Sequence, residues 1–386
     1  MKPGNPTISA LGTTVFTTMS ALALEHKAVN LGQGFPDGNG PEDVRTKAAE
    51  FLSDRPNQYP PMMGVPELRQ AVAAHNKRFY GLDVDWLREV MVTSGATESL
   101  TACFLSLIAP GDEVILIEPL YDSYLPIVRL AGGIPKLVRL TPPHWDLPRE
   151  ELAAAFSTKT KLIALNSPMN PIGKVFSREE LEFIAGLVVR NDAYALCDEV
   201  YEHIIFDNAQ HIPLMTLPGM RERCLRVGSA GKTFSLTGWK IGYVTGAPAL
   251  VANAGKAHQF ITFTTPPNLQ RAVAYGLSKD DTYFKSLATD LQAKRDFLAV
   301  GLKDVGFDVL RCDGTYFVTT DIRALGLECD DVAFCKHITA EAGVAAIPLS
   351  AFYEGKAPEN FVRFAFCKEA HTLEEALTRL RKYFKR

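Results

Sequence analysis

Seven short apolar runs, each bounded by stretches of helical spacing, recur in the middle of this 386-residue chain. They are Glu89–Thr93, Glu113–Glu118, Lys136–Arg139, Leu162–Asn166, Tyr194–Asp198, Leu225–Ser229 and Ile241–Thr245. Strand and helix alternating in this way read as βαβ units and predict an α/β fold with a doubly wound, mainly parallel sheet. The alternation occupies residues 40–280, expected to form a large domain. A long helical pattern from about Thr282 to Val305 leaves it, followed by an α+β segment and an amphipathic helix over His371–Phe384. Residues 1–39 are expected to pack with 281–386 as a smaller domain, since the chain is longer than one ordinary core accommodates. In an open α/β sheet ligands bind at the carboxyl ends of the strands, so the residues just past each run are the places to look for chemistry.

Four such places carry it. After Leu225–Ser229 comes Ala230-Gly231-Lys232-Thr233, a lysine in a tight loop of small and hydroxyl residues. A deprotonated lysine amine is a nucleophile and forms a Schiff base with an aldehyde; a solvated loop lysine would look the same in isolation. After Glu89–Thr93, Ser94-Gly95-Ala96-Thr97 opens a helix running to about Ile108, whose free N–H groups and positive dipole end suit a phosphate. An ordinary helix start capped by Ser94 or Thr97 is the structural alternative. After Leu162–Asn166, the prolines of Ser167-Pro168-Met169-Asn170-Pro171 stiffen a loop that carries Asn170, although Asn-Pro is also a common turn pair. Tyr194–Asp198 delivers Asp198 near a strand end, where a partly buried carboxylate needs a cation or donor. A protonated pyridine nitrogen or a nearby Arg or Lys would serve.

The four segments, in this order and with a late arginine, resemble the class I and II aminotransferases, fold type I enzymes dependent on pyridoxal phosphate. The spacing Ser229-x-x-Lys232-x-x-x-x-x-Gly238-x-Lys240-x-Gly242, with Asp198-Glu199-Val200-Tyr201 upstream, is highly specific, and the likeness covers nearly the whole chain. The resemblance implies a role for each matching position. Lys232 would bind the cofactor aldehyde and later move the Cα proton. Asp198 would keep the pyridine nitrogen protonated. Asn170 and Tyr201 would bond the ring's 3′ oxygen, and Tyr121 would stack on the ring. Gly95, Ala96, Thr97, Ser229 and Lys240 would hold the phosphate; many relatives carry arginine where Lys240 stands, and lysine lacks the bidentate fork. Arg363, on the strand pattern Phe361-Val362-Arg363-Phe364 and facing away from the aromatics, would grip the substrate carboxylate with Gly34. Tyr59 would reach the phosphate of a second subunit, which makes a homodimer with shared active sites the expected assembly.

Within the family, Asn30-Leu31-Gly32-Gln33-Gly34-Phe35-Pro36-Asp37 and Gly238-Trp239-Lys240 look most like the branch of kynurenine aminotransferase, glutamine transaminase K and methionine aminotransferase. Phe16 and Phe352, with Phe263, are candidates for an apolar side-chain pocket, with core packing as the alternative. Apolar, aromatic, methionine or glutamine-type amino donors and a 2-oxo acid acceptor are expected, by a ping-pong mechanism. N-succinyldiaminopimelate aminotransferase is the alternative, as is β-lyase chemistry on cysteine S-conjugates or cystathionine. A non-enzymatic sensor domain is disfavoured because every catalytic position holds a competent residue.

A net charge of −3 speaks against a nucleic-acid partner. Seven cysteines without a C-x-x-C pair suggest reduced thiols and a cytoplasmic protein, and the eight histidines show no metal-ligand spacing. The N-terminus shows no basic region followed by an apolar stretch, and no apolar run is long enough to span a membrane.

Overall fold

The seven apolar runs pair into a single sheet in the computed structural model, which describes residues 2–385. In chain order the strands are β1 (Val90–Ser94), β2 (Glu113–Glu118), β3 (Ile134–Arg139), β4 (Thr160–Asn166), β5 (Tyr194–Asp198), β6 (Cys224–Ser229) and β7 (Ile241–Gly246). Their spatial order is β1-β7-β6-β5-β4-β2-β3. Only β7 runs antiparallel to its neighbours; the remaining pairs are parallel. The strands are apolar on both faces because helices cover both: Val114, Ile115, Leu116, Leu162 and Ile163 are fully buried.

Strand register aligns the positions that matter. Asn166 lies opposite Asp198, Asp198 opposite Val227, and Ser229 opposite Gly242. The alternation of side chains along β6 sends Arg226 to a buried ionic cluster. There its guanidinium pairs with Glu199 and Glu202 and donates to Asn76 Oδ1 at 2.6 Å. Tyr80 donates to Glu202 at 2.6 Å, and His211 lies 2.9 Å from Glu199. Burial opposes ionisation of Glu202, but the charge of Arg226 holds its carboxyl well below the usual range. Removing one member of such a cluster leaves an uncompensated buried charge. The network therefore clamps the turn Asp198–Glu202 from behind.

The Asp281–Val305 helix begins one residue earlier than its sequence pattern, because Asp280 caps it through Tyr283 N at 3.3 Å, and it ends at Gly306 with φ 116°. A second sheet is wholly antiparallel, in the order Ile347–Pro348, Phe361–Ala365, Phe317–Asp321, Asp308–Val309. Residues Val29–Asn30 pair with Val344–Ala345, and Ala365 N donates to Leu31 O at 2.6 Å. These bonds bring the segment carrying Gly34 beside the strand carrying Arg363. The C-terminal helix spans Ala370–Phe384. Among the described residues, no helix is long and apolar enough to cross a membrane.

Candidate active site

The carboxyl ends of β1, β4, β5 and β6 open onto one cavity of about 320 Å³. Its wall includes Gly95, Ala96, Thr97, Tyr121, Asn170, Asp198, Tyr201, Ser229, Lys232, Lys240, Gly34, Phe16 and Arg363. Segments far apart in the chain thus converge on one volume.

At one end lies the start of the Gly95–Leu107 helix. Ser94 precedes it without making a side-chain capping bond, so the helix opening keeps its appetite for an anion. Gly242 of β7 lets this turn come close: a Cβ there would stand 2.5 Å from the Gly95 carbonyl carbon and 2.7 Å from Ala96 N. Lys240 sits at φ 52°, and a Cβ on Gly95 would lie 3.1 Å from its Nζ. Backbone amides, the Ser229 and Thr97 hydroxyls and one ammonium thus border a pocket end suited to a phosphate.

Asp198 forms the middle of the wall. Its Oδ2 accepts from Tyr124 OH at 2.6 Å, while the buried Oδ1 has no partner among the described residues. Burial pushes the carboxyl up to about 6, against the pull of Tyr124, the Val200 amide and Lys232. A buried carboxylate with one idle oxygen calls for a cationic N–H, which a protonated pyridine nitrogen would be. Beside it, Asn166 Nδ2 donates to the Asp198 carbonyl at 2.9 Å and Asn166 Oδ1 accepts from Asn170 N at 2.8 Å. Asn170 Oδ1 accepts from Arg363 at 2.8 Å, which leaves Nδ2 as the donor.

Lys232 stands on the short helix Ala230–Thr233. Its Nζ donates to Tyr316 OH at 2.7 Å, and that hydroxyl donates to Gly34 O at 2.6 Å. Burial brings the amine down to about 8, partly offset by Cys367 and Asp198. A substantial neutral fraction therefore exists near pH 8, as a nucleophile requires. The buried phenol of Tyr201 is pushed up by desolvation, so it stays a donor.

Arg363 is 1% exposed. One Nη donates to Asn170 and the other to Gly32 O at 3.0 Å, and Nε has no partner among the described residues. No carboxylate pairs with it among the described residues, and burial lowers its guanidinium to about 10. The alternation of its strand is as expected, yet aromatics from other elements surround it. Phe317, Phe352 and Phe16 lie with ring centroids 3.8, 5.0 and 5.4 Å from the guanidinium carbon. An arginine held this way is a cation awaiting an anion.

Three sequence candidates lie elsewhere. Phe352 is buried, edge-on to Phe16 at 5.7 Å, and backs the cavity without lining it. Phe263 is outside the cavity, where it touches Tyr59 at 5.4 Å. Tyr59 is 82% exposed and not part of its own chain's cavity wall. Conversely, Tyr124, Tyr316, Asn166 and Phe317 carried no recognisable sequence signal. Each reads as strand, loop or core material, and only long-range packing reveals its partner.

The sequence model of the family described as "Aminotransferase class I and II" matches residues 26–380. Methionine aminotransferase of Escherichia coli is 41% identical over 371 residues, 96% of each chain. Kynurenine–oxoglutarate transaminase of Dictyostelium discoideum is 41% identical, over 97% of this chain and 95% of its own. The solved structure of N-succinyldiaminopimelate aminotransferase from Mycobacterium tuberculosis superposes with a TM-score of 0.96 at 43% identity, covering 98% of this chain and all of that one.

Proposed function

The chain belongs to the class I and II aminotransferases, and on that footing we propose that the cavity is its active site and that its amino donors are L-α-amino acids with uncharged side chains, apolar, aromatic, methionine-like or glutamine-like. Enzymes of this family depend on pyridoxal phosphate. When bound, that group supplies an aldehyde for amines and a ring that accepts the electron pair left as Cα loses its proton. The observation that carries the reading is Asp198 Oδ1, buried and without a partner in the same wall as Lys232.

In this reading Asp198 would hold a proton at the pyridine nitrogen. Asn170 Nδ2 and Tyr201 OH would donate to the ring oxygen, and Tyr121 would border the ring. The opening of the Gly95–Leu107 helix, Ser229 and Lys240 would hold the phosphate. Lys232 Nζ would hold the group and, when free, would move the proton at the substrate Cα. Arg363, braced by Asn170 and the aromatic rings, grips the α-carboxylate together with the Gly34 backbone, and Phe16 borders the side chain. Tyr59, exposed on its own protomer, serves the active site of the other subunit of a homodimer. Residues 40–280 form the large domain, and 1–39 with 281–386 the small one. The seven free cysteines, six of them buried, support a reducing, cytoplasmic setting.

The cations of the cavity wall are Lys232, Lys240 and Arg363, and each has a task in this scheme. A second acidic group on the substrate would meet no further cation in this wall among the described residues. Within a single subunit this favours uncharged side chains over a second carboxylate. The test is an absorbance titration of purified enzyme with a panel of amino acids and no 2-oxo acid, following conversion of the cofactor to its amine form. Methionine, glutamine and aromatic donors should convert it fastest. Fastest conversion by N-succinyldiaminopimelate would overturn the substrate class. Pyruvate and ammonia accumulating from cysteine conjugates would identify a β-lyase.

Arg363→Ala should lower kcat/KM by roughly 10²–10³-fold for every α-amino acid, mainly through KM, because a desolvated charge-assisted contact is lost. Steady-state kinetics across the panel checks this. An effect confined to one donor would move Arg363 to the side-chain pocket.

A further inference from the structure

We propose that Tyr316 is a positioning residue for Lys232, holding the amine through a hydroxyl that can act only as an acceptor because its own proton is committed to the Gly34 carbonyl. The inference rests on the reading of Lys232 as the amine that takes the cofactor.

A phenol has one proton. In Tyr316 that proton goes to Gly34 O at 2.6 Å, so the 2.7 Å contact with Lys232 Nζ runs from lysine to tyrosine. A neutral amine has two N–H bonds and one lone pair. Pinning one N–H on Tyr316 turns the lone pair away from Tyr316, leaving it for the cavity that Lys232 lines. Nothing in this chain of bonds is free to drift. Gly34 lies so close to Phe317 that a Cβ would stand 2.5 Å from the ring. The Tyr316 ring, 1% exposed, is braced edge-on by Phe317 at 4.8 Å and Tyr201 at 5.1 Å. Tyr316 directly precedes the Phe317–Asp321 strand of the second sheet, and Gly34 follows the Val29–Asn30 pairing. The placement of the amine therefore depends on parts of the chain remote from its own loop.

Two consequences follow, and they run in opposite directions. The ammonium form loses more than the neutral amine when the acceptor disappears, so the amine should titrate lower. The neutral amine also loses its orientation, so it should react more slowly even when fully deprotonated. An aromatic that merely fills space would produce neither effect on replacement by phenylalanine.

The test follows covalent capture of pyridoxal phosphate by cofactor-free enzyme as a function of pH. Capture is read by visible absorbance, then fixed with borohydride and located by mass spectrometry. In the parent, capture should rise through about pH 8, since only the neutral amine attacks. Tyr316→Phe should move the midpoint down by on the order of one pH unit and lower the alkaline plateau roughly tenfold. The cofactor's own titration is common to both proteins and cancels in the difference. Tyr283→Phe, which deletes a hydroxyl bond to Thr233 O at 2.9 Å in the same loop, is the control for general loosening and should leave the midpoint in place. Replacing Tyr316 alone by 3-fluorotyrosine keeps the shape and weakens the oxygen as acceptor. It must move the midpoint in the same direction, and it decides the matter if the phenylalanine variant does not fold. A folded Tyr316 variant with the parental midpoint overturns the proposal. An adduct found on another lysine overturns instead the reading of Lys232 on which it rests.

Discussion

Lys232→Ala is expected to yield a folded protein whose aminotransferase turnover falls by at least about 10⁴-fold, because on the proposed reading it removes both the point of covalent attachment and the proton carrier. Folding should survive. The side chain is only partly buried, it makes one hydrogen bond, and Tyr316 retains its bond to Gly34. The phosphate end of the cavity is untouched, so the cofactor should still bind, but reversibly. Purified variant protein should lose its visible absorbance on dialysis where the parent keeps it. Borohydride treatment should add no mass to the peptide spanning residue 232. Retention of both the absorbance and the turnover would remove Lys232 from the centre of the chemistry and with it the mechanism described above.

Asp198→Asn should separate stability from activity. Turnover should drop by several powers of ten, since a neutral amide cannot hold the pyridine nitrogen protonated. The cofactor-free protein should meanwhile become more stable at neutral pH. The sign follows from linkage. The folded-state pKa is raised from 3.8 to about 6, chiefly by burial. The favourable contribution of the protonated carboxyl is complete below about pH 4 and is lost as pH rises through about 6. Above that, the fold carries a buried charge with one idle oxygen. Asparagine keeps the oxygen that accepts from Tyr124 and carries no charge. At pH 8 it should therefore stabilise the cofactor-free protein by roughly 1–3 kcal/mol, with no gain near pH 4. Urea unfolding of both cofactor-free proteins at the two pH values measures this. A variant less stable than the parent at pH 8 would mean that Asp198 is already compensated from within the chain.

Much of the site was legible because its parts follow strands. Asp198, Asn170, Lys232 and Gly95 each come at the end of an apolar run or shortly after one, and a parallel sheet collects such positions on one edge whatever the intervening helices do. The seven runs appear as the seven strands of the sheet, and their ends differ from the expected ones by two residues at most. The long helix, placed from about Thr282 by its spacing, starts at Asp281 because Asp280 caps it. Phe352 and Phe263 illustrate a different limit. An apolar residue near a motif can line a cavity, back it or face away, and spacing does not distinguish the three.

By itself, the sequence determined the order of strands and helices, the residue types at the strand ends, and hence the family and its chemistry, because local patterns and short loop motifs carry that information. Only the tertiary structure decided what each functional group touches. It paired Asp198 with Tyr124, 74 residues away, and Arg363 with Asn170, 193 residues away. It set Lys232 on Tyr316, whose hydroxyl ends on Gly34, 282 residues distant. Such contacts follow from strand register and from the packing of the second sheet over the strand ends. Hydrogen bonds between residues so far apart leave no periodicity in the chain to reveal them.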